Sequence, residues 1–253
     1  MSRSTQRILF AVAIFVAAVL VVVANVARSH SQVRGIEVDI HYGSAPQLVD
    51  SQTVIDTIFA ILPTLSLQRV ADVDCPAVAE AAARVPALRD VSATTSVSGK
   101  VVVRARQRRP VARLYYGAHE LYFDSEGCLF PTSQRASADV LVVGGDFVEP
   151  LRTDTIPAQL QALVQVASFL DENSDYSPLI DQAYILANGD IMLTPKLGDH
   201  VIELGTATNL TDKFDALLAF YRHGMPRAGW NIYSKLSLKF KNQIVCTKKP
   251  QNI

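Results

Sequence analysis

Cysteine is scarce in this chain: Cys75, Cys128 and Cys246 are the only three in 253 residues, and they lie far apart. No CxxC pair occurs, which removes the usual structural zinc patterns, and an odd, sparse set does not make a disulfide scaffold. An excess of one charge sign is also missing. Lys plus Arg and Asp plus Glu number 24 each, so a global electrostatic grip on nucleic acid is disfavoured. Phosphate cradles are absent, because Gly144-Gly145 is not followed by the rest of a GxGxxG or GxxxxGK pattern. His30, His41, His119, His200 and His223 show no metal-ligand spacing. Asp124-Ser125-Glu126-Gly127-Cys128 lacks the Gly-x-Ser/Cys-x-Gly elbow of a nucleophile and reads as a hairpin turn leading into a buried Cys128. Asp171-Glu172 falls at a predicted helix end and reads as solvated. No motif for a catalytic group, a cofactor or a resident metal emerges, and the chain reads as a non-enzyme.

What is present begins with a hydrophobic run. Ile8 to Val26 holds 13 Ile, Leu, Val or Phe, five Ala and one Asn. As a helix it would be about 28 Å long, close to the hydrocarbon thickness of a bilayer. Arg3 and Arg7 precede it and Arg28 follows, a slight bias that places the amino terminus in the cytoplasm and the bulk of the chain outside the inner membrane. The competing reading is a signal peptide cleaved near Val22-Val23-Ala24, which would release an exported cell-wall-active enzyme. The run exceeds the about 7–15 residues of a signal core, and this favours an uncleaved anchor. The expected organisation is a cytoplasmic tail (1–7), a transmembrane helix (8–26), a polar linker (27–34), a first domain (35–109), a second domain (110–248) and a short tail (249–253).

In the first domain Ile36, Val38, Ile40 and Tyr42 alternate with Glu37, Asp39 and His41, the period of a half-buried strand. Asp50 or Ser51 is set to cap a helix that ends at Pro63, and Asp74 a second one with Pro76 in its first turn and Pro86 beyond its end. Strands over 88–96 and 100–108 meet at Ser98-Gly99. The order β-α-α-β-β predicts a small sheet with two helices on one face. The second domain reads as mostly antiparallel β with two helices. Strands are predicted over 111–116, 120–123, 128–130 and 140–143. A helix over 157–170 with Pro157 in its first position follows, then a hairpin at Asn188-Gly189 and a strand over 200–204. A helix capped by Asn209 and closed by Gly224 precedes final strands over 232–240 and 243–247.

Two features carry binding potential. Arg104, Arg106, Arg108, Arg109 and Arg113 form the strongest charge run, with the first three on one face of a strand. No aromatic stacking platform accompanies them, so a solvated face or a protein contact is the expected use. In the last segment Leu236, Leu238 and Phe240 alternate with Lys235, Ser237, Lys239 and Lys241. Lysine on a terminal strand guards against unwanted edge pairing, and the same geometry permits controlled pairing with an acidic segment. A proline at Val245 is expected to remove a strand donor and weaken capture while sparing the fold, if that strand is the edge.

The arrangement resembles the FtsQ/DivIB family of bacterial cell-division proteins. Three stretches carry the likeness: Lys100–Arg113 entering a Pro-Val-Ala junction; Leu121–Pro131 with Asp124, Gly127, Phe130 and Pro131; and Val201-Ile-Glu-Leu-Gly205 with Lys213 and Tyr233–Val245. Gln107, Ser237 and Lys239 stand where the family often has Glu, Asp and Arg. The resemblance implies a POTRA domain followed by an FtsQ-type β domain. It also implies a non-enzymatic bitopic scaffold of the divisome at the septum, with FtsB-like and FtsL-like bitopic partners. Capture by β-strand addition would involve Ser234, Lys235, Leu236, Ser237, Phe240, Gln243, Ile244, Val245, Cys246 and Thr247. No small-molecule substrate and no nucleic acid are implied.

Overall fold

The computed structural model describes residues 12, 14–20, 31–146, 156–241 and 243–250. Most of the expected anchor, 8–26, lies outside them, as does the tail 1–7; residues 12 and 14–20 are helical and exposed. Among the described residues no helix is long and apolar enough to cross a membrane. The chain divides into two compact units, Met1–His41 with Val49–Gln107, and Tyr42–Leu48 with Arg108–Ile253.

The first unit contains β1 (Ile36–His41), α1 (Ser51–Ile61), α2 (Cys75–Ala83), β2 (Leu88–Thr95) and β3 (Val101–Gln107). The sheet order is β1-β3-β2, with β1 parallel and β2 antiparallel to β3. A parallel pair needs a crossover, and the two helices lie in that crossover. Asp50 caps α1 by accepting from the Thr53 amide at 3.0 Å, and Asp74 caps α2 through the Ala77 amide at 3.1 Å. Each satisfies an amide that the helix itself leaves without a partner. Val54 and Ile58 of α1, Val78 and Ala82 of α2, and Val101, Val103 and Ala105 of β3 are buried. The alternate side chains of β3, Arg104 and Arg106, face solvent. Residues 31–34, expected as a plain spacer, are tied down. The Val33 amide donates to the Gln68 carbonyl, the Val70 amide to the Ser31 carbonyl and the Arg34 amide to the Gly99 carbonyl.

The second unit contains β4 (Ala112–Tyr116), β5 (His119–Phe123), β6 (Leu129–Pro131), β7 (Leu141–Gly145), α3 (Gln161–Glu172), β8 (Ile180–Ile185), β9 (Ile191–Pro195), β10 (Val201–Gly205), α4 (Leu210–His223), α5 (Met225–Ala228), β11 (Tyr233–Ser237) and β12 (Val245–Lys248). One nine-stranded sheet runs β12-β11-β10-β9-β8-β7-β4-β5-β6. It is mixed. The β4–β7, β7–β8 and β10–β11 pairs are parallel and the other five antiparallel, so parallel pairing takes a larger share than the alternation suggested. One hydrophobic core joins Leu114, Val143, Ala183, Leu193, Ile202 and Leu236 of the sheet to Leu163, Val166, Phe214 and Leu217 of α3 and α4.

Several local expectations are corrected. Pro157 precedes a 3-10 turn, Ala158–Leu160, and α3 starts only at Gln161. Asn209 precedes α4 in the left-handed region, φ 52°, and makes no side-chain cap. Gly224 keeps right-handed geometry. A Cβ there would stand 2.6 Å from the Phe220 ring, so close approach, not positive φ, explains the glycine. In the Asn188-Gly189 turn only Gly189 takes positive φ. The predicted strand over 232–240 pairs with β12 only to Ser237, and the predicted strand over 243–247 begins only at Val245.

Candidate partner-binding interface

The last strands place the predicted site residues in three different settings. β11 is flanked on both sides. Val201, Ile202 and Glu203 of β10 stand opposite Lys235, Leu236 and Ser237, and β12 runs antiparallel along the other side. Leu236 and Ser237 are buried, and the Ser237 hydroxyl has no hydrogen-bond partner. Phe240 and Val245 are exposed, at 51% and 43%. Ile244 and Cys246 pack partly against the core, and burial raises the Cys246 thiol pKa.

β12 pairs only with β11 among the described residues and ends the sheet. Alternation of backbone groups along an antiparallel pair decides which of its residues face outward. The Lys249 amide donates to the Ile232 carbonyl at 2.9 Å, and the Thr247 carbonyl accepts from the Ser234 hydroxyl at 3.2 Å. The Leu238 amide donates to Glu203 of β10, so by the same alternation Ser237 turns its groups toward β12. Val245 and Thr247 therefore spend their amides and carbonyls on β11, and Cys246 and Lys248 present theirs to the open side. A proline at Val245 would break the sheet's own ladder; the outward donors are those of Cys246 and Lys248.

The lysines of this segment are mostly engaged. Lys239 meets Asp190 at 2.9 Å and Glu203 at 3.9 Å, and Lys235 meets Glu203 at 3.6 Å. The hydrogen bond between Lys239 and Asp190 raises the lysine pKa and lowers that of the carboxylate. Lys239 reaches Asp190 by crossing Gly205, where a Cβ would stand 2.8 Å from its Cγ and where φ is +73°. Lys213 of α4 donates to the carbonyls of Leu204 and Thr206 on either side of that glycine, at 2.9 and 2.7 Å, and burial lowers its pKa. This gives a physical reason for glycine and lysine in the Val201–Gly205 and Lys213 signature.

Beside the start of β12 lies a groove of about 890 Å³ between α4 and residues 238–244. Its floor includes Ala216, Phe220, Leu238 and Ile244, and its rim carries His223, Arg227 and Lys241. The helix residues were missed in the sequence. Ala216, Phe220, His223 and Arg227 nevertheless recur at helical spacing beside the buried stripe of Phe214, Leu217 and Tyr221, which is the signal that would have found them.

The basic run does not act as a unit. Arg108 pairs with nearly buried Asp124 at 2.7 Å, Arg109 with Asp171 at 2.6 Å, and Arg113 with Glu120 at 2.8 Å. Only Arg104 and Arg106 remain on an open face, where Arg106 stands 3.8 Å from Asp90. The Asp124–Cys128 loop is a turn, as expected: Asp124 accepts from the amides of Glu126 and Cys128 at 3.0 and 2.9 Å, and Gly127 takes φ +77°, but Cys128, expected to be buried, is only half-buried. The ligand atoms of Asp124, Glu126 and Cys128 lie within 4.8 Å of one another. Asp124 is already neutralised by Arg108, which leaves the cluster poorly suited to a cation.

An α+β chain whose mixed sheet ends in the short β6, finishing on Pro131, at one side and in the proline-free β12 at the other is thus defined by its fold. Residues 109–247 match the family described as FtsQ/DivIB, C-terminal related, and the chain belongs to that family, which links it to cell division. No curated protein matches the chain.

Proposed function

We propose that the chain is a non-enzymatic, membrane-anchored component of the cell-division machinery that captures a partner segment by strand addition along β12. The observation that carries the reading is the open side of β12, where Cys246 and Lys248 turn their amides and carbonyls away from β11. Unspent main-chain groups on an edge supply affinity to any extended segment that can lie alongside, and neighbouring side chains set its register. Lys241, Lys248 and Arg227 favour an acidic segment. The family link supports division proteins as partners, and the resemblance narrows these to small bitopic FtsB-like and FtsL-like chains. The anchor is Ile8–Val26, which would put both units outside the inner membrane.

The test is photocrosslinking in membranes from positions 245 and 247, with Lys248→Pro alongside. Capture of a bitopic division protein that is lost with Lys248→Pro, while the fold persists, supports the reading. Undiminished capture by Lys248→Pro overturns it. Thr247→Pro is the contrasting control, because it removes a donor that the sheet itself uses.

A further inference from the structure

The first unit keeps its exposed apolar side chains at one end. Outside the amino-terminal run, its exposed large aliphatic residues among those described are Ile61, Leu67 and Val97, at 47%, 71% and 70%. Chain direction places all three together. β1 and β3 start at this end and β2 finishes there, so the turn 96–99 that carries Val97 lies beside Ile36 and Val101. The segment 62–70 that follows Ile61 and carries Leu67 is held against residues 31–33 by the Val33–Gln68 and Val70–Ser31 hydrogen bonds. The Arg34 amide bonds the Gly99 carbonyl, which brings the second loop to the same strip of chain. The two loops therefore flank the place where the chain arrives from its amino-terminal side.

We infer that this end of the first unit rests on the bilayer, with Leu67 and Val97 inserted at the lipid interface. The inference rests on the anchor reading given above. Four residues lie between Val26 and Ser31, and the five steps span at most about 17 Å, so the loops stand within reach of the surface from which the chain would emerge. Their neighbours suit that position. Thr64, Ser66 and Gln68 surround Leu67, and Ser96 and Ser98 surround Val97, so insertion desolvates no charge beside either side chain. Arg34 is exposed and has no ion-pair partner among the described residues, which leaves it for a headgroup phosphate. Arg69 and Lys100 are paired at the surface with Asp72 and Glu37, so apolar insertion and not net charge holds the contact. The opposite end of the unit, around Arg84 and Arg106, exposes charged side chains in place of aliphatic ones.

The experiment uses the full chain with Cys75, Cys128 and Cys246 replaced by alanine, in phosphatidylethanolamine–phosphatidylglycerol vesicles. Single cysteines at 67, 97 and 84 carry an environment-sensitive fluorophore, and a nitroxide on the upper acyl chain serves as quencher. The expected result is roughly twofold or greater quenching with a blue shift at 67 and 97, and neither at 84. Carbonate extraction runs in parallel. If the chain resists extraction while probes at 67 and 97 behave like the one at 84, the interfacial contact is wrong and the anchor stands. If carbonate releases the chain, both fall.

Discussion

The two edge strands of the nine-stranded sheet, β6 and β12, differ in the backbone they present. At one end β6 is three residues long and finishes on Pro131, which has no amide to offer. The hairpin beside it is clamped by Arg108 and Asp124, with side chains only 19% and 5% exposed. At the other end β12 contains no proline and turns the backbone of Cys246 and Lys248 outward. Beyond its ladder with β11, the chain just past it is tied by the solvent-facing pair of Lys249 with Asp199 at 2.5 Å. Both strands end the sheet, but β6 offers a short edge that finishes on a residue with no amide, whereas β12 is four residues long and offers outward donors and acceptors. This asymmetry is the strongest physical support for binding at β12.

Arg108→Ala should act hardest on the β6 end. It leaves the Asp124 carboxylate nearly buried without its cation, and about 3 kcal/mol should be lost from the second unit in a denaturant melt. Partner capture below the melting temperature should persist, since the damage lies at the far edge. Lys248→Pro should do the reverse. Capture should weaken about tenfold or more, equivalent to about 1.4 kcal/mol by titration, with the melt little changed. If the two variants fail to separate stability from capture, the contrast between the edges is not functional.

Gly205→Ala sharpens the picture behind the open edge. The added methyl meets the Lys239 stem and the backbone holds a left-handed φ, so a loss of about 1–2 kcal/mol is expected, with Lys239 displaced from Asp190 in a crystal structure or by NMR. A smaller effect follows from His200. Its Nε2 lies 2.7 Å from the Tyr221 hydroxyl, its Nδ1 has no partner, and burial lowers its pKa. As pH falls through the ordinary histidine range the unfolded chain takes up a proton, while the folded chain resists it until lower pH. Stability should therefore fall as pH drops through the mid-sixes toward the lowered value. His200→Gln should flatten that part of the melting-temperature profile; an unchanged slope would remove His200 as its cause.

Sequence patterns reached some of these features and not others. The caps at Asp50 and Asp74 were legible because an N-cap acts over three residues. So was the Asp124 turn, whose hydrogen bonds close within five residues. Gly224 closes α4 as expected, but its reason is the Phe220 ring, a matter of packing that was not legible. The parallel pairs of β4, β7 and β8 were not legible either, since strand neighbours are chosen over distances of tens of residues. Within the candidate interface, period-two alternation exposed the apolar and lysine faces of residues 235–241. It did not reveal that Lys235 and Lys239 are neutralised by Glu203 and Asp190, or that Leu236 and Ser237 are interior.

The sequence by itself determined the kinship of residues 109–247 with the FtsQ/DivIB C-terminal-related family, the β-α-α-β-β order of the first unit and the local turns, because each depends on residues close together in the chain. Only the tertiary structure decided which arginines are spent inside, which strand stays at the rim and which of its amides look outward. Those outcomes depend on register between distant segments, and one residue of slip along β12 would exchange its inward and outward groups.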